Sequence, residues 1–171
     1  MRVFMASALL FSAGCANLQL PIPTGGGTTS GSGTSTAPSG SSAVAGEIVR
    51  FTNDARVRNG LPVFNASSRL MEAARIQAEQ MASFQRAEHT ISGAQYPTLD
   101  SRLKAVGYVY SSAAENVAWN QPSAEAAVNS WMNSSGHRAN ILDPSLREIG
   151  TAMVRSSRGE PYWIQVFGTP R

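Results

Sequence analysis

Apolar residues recur at helical spacing through the middle of the chain and crowd into short β-forming runs near its end. Ile48, Phe51 with Thr52, and Ala55 lie on one stripe, predicting a helix from Glu47 to Asn59 that Asn59-Gly60 stops. After an extended connector, Leu61 to Phe64, the clearest periodicity begins. Leu70, Ala73, Ala74, Gln77, Ala78, Met81 and Phe84 form the inward face of a helix that Asn65 or Ser67 can cap. Arg69, Arg75, Glu79 and Arg86 read as its solvated face. A shorter helix is predicted from Leu99 to Val106, carrying Arg102 and Lys104 and ended by Gly107. Another, capped by Ser123, runs through Ala126, Ala127, Ser130 and Trp131. The period then changes. Glu148 to Val154 and Tyr162 to Phe167 read as strands joined by a turn at Ser156 to Gly159, an antiparallel hairpin. Helices followed by a hairpin predict an α+β layered sandwich for residues 45–171.

The first 44 residues have another character. Met1-Arg2 is positive, Val3 to Phe11 is apolar, and Ser12-Ala13-Gly14-Cys15 is a small-residue cleavage site, so residues 1–14 read as a signal peptide. The cysteine after small residues resembles a bacterial lipobox, although Ser12 stands where Leu is usual. That resemblance implies lipidation at Cys15 and a membrane anchor, since each buried acyl methylene contributes about 0.8 kcal/mol. Ala16 after the cysteine implies outer-membrane sorting in a Gram-negative host. Residues 15–44 continue as a Gly/Ser/Thr/Pro linker with no charge and too little apolar surface to offset ordering. Residues 21–44 would span about 25–30 Å as a flexible tether. All 11 acidic residues lie beyond residue 44, which places the domain boundary there.

Charge and cysteine usage remove several classes. A net charge of +3 with scattered arginines gives no case for nucleic acid. One cysteine excludes an internal disulfide and a cysteine-rich metal site. Nothing after residue 20 approaches the roughly 18 apolar residues of a spanning helix.

The candidate chemistry gathers around Trp131 to Leu142, where His137 follows Gly136 in what reads as a turn on a cleft wall. The chain has 2 histidines, so His89 is the only imidazole partner. His89 lies past the end of a predicted helix, as a functional group or as a cap on the helix dipole. Glu115, in Ala114-Glu115-Asn116-Val117-Ala118-Trp119, sits in an apolar setting and needs a partner, either backbone amides or an imidazole.

These pieces occur in a fixed order: His89, Ala114-Glu115-Asn116, Trp131, Gly136-His137-Arg138-Ala139-Asn140-Ile141-Leu142, Glu148-Ile149-Gly150, and Tyr162 to Phe167. Together they resemble the CAP superfamily of cysteine-rich secretory, antigen 5 and pathogenesis-related proteins, most closely its bacterial single-domain branch. The resemblance covers about residues 47–168. It implies an α-β-α sandwich with an open central cleft holding two His and two Glu, a set that binds zinc or another divalent ion in some members. His89, Glu115 and His137 match three of these. Ser134 occupies the place of the second Glu, leaving a triad, and Ser134 and Asn116, which follows Glu115 in its motif, complete the expected cleft residues.

Two imidazoles and a carboxylate are a plausible zinc set with one position for water. Metal-free acid–base work by His89 with Glu115 is the other chemical option. A hydrogen-bonded network holding the cleft loops is the structural one. Binding is favoured over catalysis. The expected protein is a cell-envelope lipoprotein whose cleft takes a small apolar, lipid or envelope-derived ligand. The alternatives are a metal-dependent hydrolase of peptide or envelope polymer, and a purely structural or partner-binding module.

Overall fold

The computed structural model describes residues 2–5 and 40–171. In chain order these form β1 (Arg2–Met5), α1 (Gly40–Arg58), β2 (Asn65–Ala66), α2 (Ser68–Phe84) and α3 (Leu99–Ala105). There follow β3 (Tyr110–Trp119), α4 (Ala124–Met132), α5 (Ser135–Ile141), β4 (Glu148–Arg155) and β5 (Pro161–Pro170). One five-stranded sheet has the order β1-β3-β5-β4-β2. β5 is central and antiparallel to both β3 and β4, so the predicted hairpin β4–β5 is present and gains a third full strand.

The sheet is buried on both faces. Ala113, Val117, Ile164, Val166 and Ala152 meet Leu70, Ala73 and Ala74 of α2 and Leu99 and Leu103 of α3 in one core cluster. Ala114, Ile149, Trp163 and Phe167 meet Ile48 and Ala55 of α1, Ala127 and Trp131 of α4, and Ile141 of α5 in the other. This is an α-β-α sandwich in the α+β class. β3 shows no hydrophobic/polar alternation because Ala113 to Val117 are buried without a break, as expected of a strand covered on both sides.

Several local expectations shift. α1 starts at Gly40, so five residues assigned to the linker are helical. Ala43 and Ala45 favour a helix, Val44 packs against the second core cluster, and the Thr151 hydroxyl donates to the Ala45 carbonyl at 2.8 Å. Ser67 stands at the N-cap of α2 but makes no side-chain cap bond; its backbone N–H is taken by the Ile149 carbonyl at 2.9 Å. Phe84, placed inward by periodicity, is 42 % exposed because the helix ends there and Gln85 turns left-handed. Arg2–Met5, expected to belong to the leader, pair parallel with Ser112–Glu115 on the outer edge of β3. Val3 and Phe4 suit a strand, and an unpaired edge accepts one readily. Cys15 and the linker as far as residue 39 lie outside the described residues.

The tightest approach between layers is at Gly150. A β-carbon there would lie 1.9 Å from the Leu70 carbonyl carbon and 2.2 Å from the Met71 nitrogen, so the α2 backbone rests directly on β4. Neither neighbour is a flexible side-chain end that can yield. Gly150→Ala is expected to cost about 3 kcal/mol, at the upper end for overpacking, measured by urea unfolding. A loss below about 0.5 kcal/mol, the ordinary range of a surface change, would contradict this packing.

Candidate functional site

Glu115 and Asn116 are neighbours on β3, so their side chains leave opposite faces of the sheet. Glu115 points into the α2/α3 layer and is fully buried. There its Oε1 lies 3.0 Å from His89 Nδ1, and its Oε2 accepts from Arg102 Nη2 at 2.5 Å. A carboxylate paired with a guanidinium only accepts, so the His89 nitrogen carries the hydrogen it shares. Arg102 is also fully buried, and its Nη1 donates to the carbonyls of Tyr96 at 3.3 Å and Pro97 at 3.4 Å. A lone ion at such depth costs several kcal/mol, so each group requires the other.

Local sequence explains how Arg102 arrives there. Thr98 and Ser101 form a reciprocal capping box that fixes the start of α3. Leu99, Arg102 and Leu103, at three- and four-residue spacing, then face inward together. His89 comes from the segment beyond α2. Gln85 closes that helix, with its N–H bonded to the Met81 carbonyl, so the Nδ1 of His89 serves Glu115 rather than the helix end.

Asn116 points into the α1/α5 layer. Its Nδ2 donates to the His137 carbonyl at 3.1 Å and to Gln165 Oε1 at 3.0 Å. Asn140 Nδ2 donates to Asn116 Oδ1 at 2.9 Å, and Gln165 Nε2 to the Thr52 hydroxyl at 2.6 Å. One buried polar chain therefore joins α1, β5, β3 and α5. Asn140 also donates to the Glu115 carbonyl at 3.3 Å, and Trp131 Nε1 to the Val117 carbonyl at 3.1 Å. Those two side chains thus tie α4 and α5 directly to the backbone of β3.

His89 and Glu115 are in direct contact, whereas His137 is tied to the neighbouring Asn116 through its carbonyl. His137 is fully buried within α5, not on an exposed turn. Gly136 belongs to the first helical turn, where the Arg138 N–H bonds to the Ser134 carbonyl at 2.8 Å. Ser134 is the N-cap residue of α5, half-buried and without a side-chain cap bond. Glu148 accepts from the Tyr108 hydroxyl at 2.9 Å, and burial together with that bond pushes the phenol upward.

Two functional-looking arginines escape a reading of the sequence alone. Arg102 is one. Arg56, 1 % exposed, donates to the carbonyls of Pro62, Ile141 and Asp143, the last two at the close of the Trp131–Leu142 stretch. Burial lowers its pKa. Each sits on the apolar stripe of its helix, Arg56 four residues after Thr52 and Arg102 three after Leu99. Stripe position is the available signal.

The residues do not fit a divalent metal. Both oxygens of Glu115 are taken, one by a permanent cation, and His89 turns its Nδ1 to the same carboxylate. Among the described residues no three His, Cys, Asp or Glu side chains are grouped so as to hold a metal ion. A groove of about 690 Å³ lies along α2 and residues 95–106, between Arg75, Ile76, Phe84, Tyr96 and Val106; none of the predicted site residues lines it.

Asn116→Ala would strip partners from Gln165, Asn140 and the His137 carbonyl at once. With buried orphans costing about 1–3 kcal/mol each, a loss of at least about 3 kcal/mol is expected in chemical denaturation. A near-neutral result would mean that the polar chain does not join the layers.

The sequence matches the profile of the Cysteine-rich secretory protein family, CAP, over residues 49–167. The uncharacterized protein YkwD of Bacillus subtilis (strain 168) is 36 % identical over 137 residues, covering 78 % of this chain and 50 % of that protein. The uncharacterized membrane protein YlbC of the same organism is 30 % identical over 121 residues, covering 71 % of this chain and 33 % of its own length. The chain therefore spans half or less of these relatives. An extracellular protein containing an SCP domain from Bacillus anthracis superposes with a TM-score of 0.68 at 24 % identity, over 75 % of this chain and 41 % of that one. An outer surface protein of Borrelia burgdorferi gives 0.66 at 18 % identity, over 72 % and 90 %. At these identities the two structures show a shared fold. With the profile covering both core layers and all of His89, Glu115, Asn116 and His137, this chain belongs to the CAP family of cysteine-rich secretory proteins.

Proposed function

We propose that this chain is a cell-envelope CAP module, carried outside the cytoplasm on an uncharged linker whose Cys15 is lipidated once residues 1–14, β1 included, are removed, and that it binds a ligand rather than transforming one. The observation that carries the binding reading is the state of Glu115. A general base or metal-bound nucleophile needs a carboxylate or imidazole free to take a proton or a ligand. Here the buried carboxylate is held by Arg102 at 2.5 Å and His89 at 3.0 Å.

The envelope placement rests on the small-residue run before Cys15 and on the uncharged linker. Two fold relatives, an extracellular protein and an outer surface protein by description, agree with it. No helix among the described residues is long and apolar enough to cross a membrane. The groove along α2 sets the apolar Ile76, Phe84 and Val106 beside Glu72, Arg75 and Glu79. Such mixed walls suit an envelope-derived ligand with both apolar and polar parts.

Fractionation and turnover test the two halves separately. Wild type should sediment with membranes and Cys15→Ala should move to the soluble fraction; continued sedimentation of the variant would refute lipid anchoring. On casein and on peptidoglycan, wild type should show no turnover above a His89→Ala control. Turnover that His89→Ala abolishes would overturn the binding reading in favour of a hydrolase.

A further inference from the structure

We infer that Arg102 is the resident cation of this site, balancing Glu115 from within the fold and making the His89–Glu115 pair blind to divalent metals. The inference concerns the charge partner of Glu115 and stands whether or not the groove along α2 takes a ligand.

Each Glu115 oxygen already has a partner, and one of the two is a cation. Its Oε2 accepts from Arg102 Nη2 at 2.5 Å and its Oε1 is engaged by His89 at 3.0 Å. Arg102 and Glu115 are both 0 % exposed, so water screens neither charge. The guanidinium cannot be swung aside cheaply. α3 is fixed by the Thr98–Ser101 capping box, and Leu99 and Leu103 bury the adjacent turns in the same core cluster. Nη1 is held by the Tyr96 and Pro97 carbonyls. A metal ion approaching this carboxylate would meet a fixed positive charge in direct contact with its ligand, in a setting where like charges repel strongly.

The positive charge therefore comes from sequence position 102. Removing it should reopen the site. Arg102→Met keeps much of the volume and none of the charge, leaving a buried carboxylate beside an imidazole.

Zinc chloride added to the full chain tests this by thermal melting and calorimetry, with EDTA as reference. Wild type should show no zinc-dependent rise in Tm and no saturable heat. Arg102→Met should melt lower in EDTA, rise with zinc and give the saturable heat that wild type lacks. The rise should vanish in the double variant Arg102→Met, Glu115→Gln, which offers no carboxylate. Saturable zinc binding by wild type that His89→Ala removes would overturn the inference, as would a folded Arg102→Met that ignores zinc. If Arg102→Met does not fold in EDTA, the calorimetric comparison of wild type with His89→Ala decides alone.

Discussion

A strand covered on both faces cannot carry a carboxylate and an amide side by side unless each finds its partner in the layer it enters. β3 meets that constraint at Glu115 and Asn116, and much of the polar architecture follows from it. Toward α2 and α3, Glu115 draws in Arg102 from one segment and His89 from another. Toward α1 and α5, Asn116 draws in Gln165, Asn140 and the His137 carbonyl. Apolar burial supplies most of the driving force for closing the two core layers, but it is non-directional. These hydrogen bonds add direction and set which turn of each helix faces the strand.

The same constraint explains why a constellation that suggests catalysis is closed. His89 and Glu115 are the kind of pair that could move a proton, yet the acid also faces a guanidinium in direct contact. Arg56 plays a comparable part at the other end of the Trp131–Leu142 stretch. It gathers the carbonyls of Pro62, Ile141 and Asp143 while its guanidinium lies 3.8 Å over the Phe64 ring. Both arginines act as anchors between segments.

Much of this is legible in the sequence. The 3.6-residue stripe of α2, the Ser123 cap and the β4–β5 hairpin follow from local pattern, since each is an amphipathic or turn-bounded element. Glu115 announces itself as an acid in an apolar run that must be paired, and the ordered motifs match the family. β3 stays hidden because unbroken burial removes the alternation that marks a strand. His137 reads as exposed because a glycine before it suggests a turn, whereas Gly136 lies in the first turn of α5. Arg102 is concealed by its type: an arginine on a short helix reads as solvated, and only the long-range partner at position 115 distinguishes the buried case.

The coupling between Arg102 and Glu115 is the most direct test of this account, and a double-mutant cycle in urea unfolding measures it. Arg102→Met and Glu115→Gln should each cost about 3–5 kcal/mol, because each strands a buried charge or its hydrogen-bonding partner. The double variant should cost clearly less than the two together, by about 2 kcal/mol or more. Additive losses within about 0.5 kcal/mol would show that the two groups do not depend on one another, and would contradict the ion pair as the centre of the site.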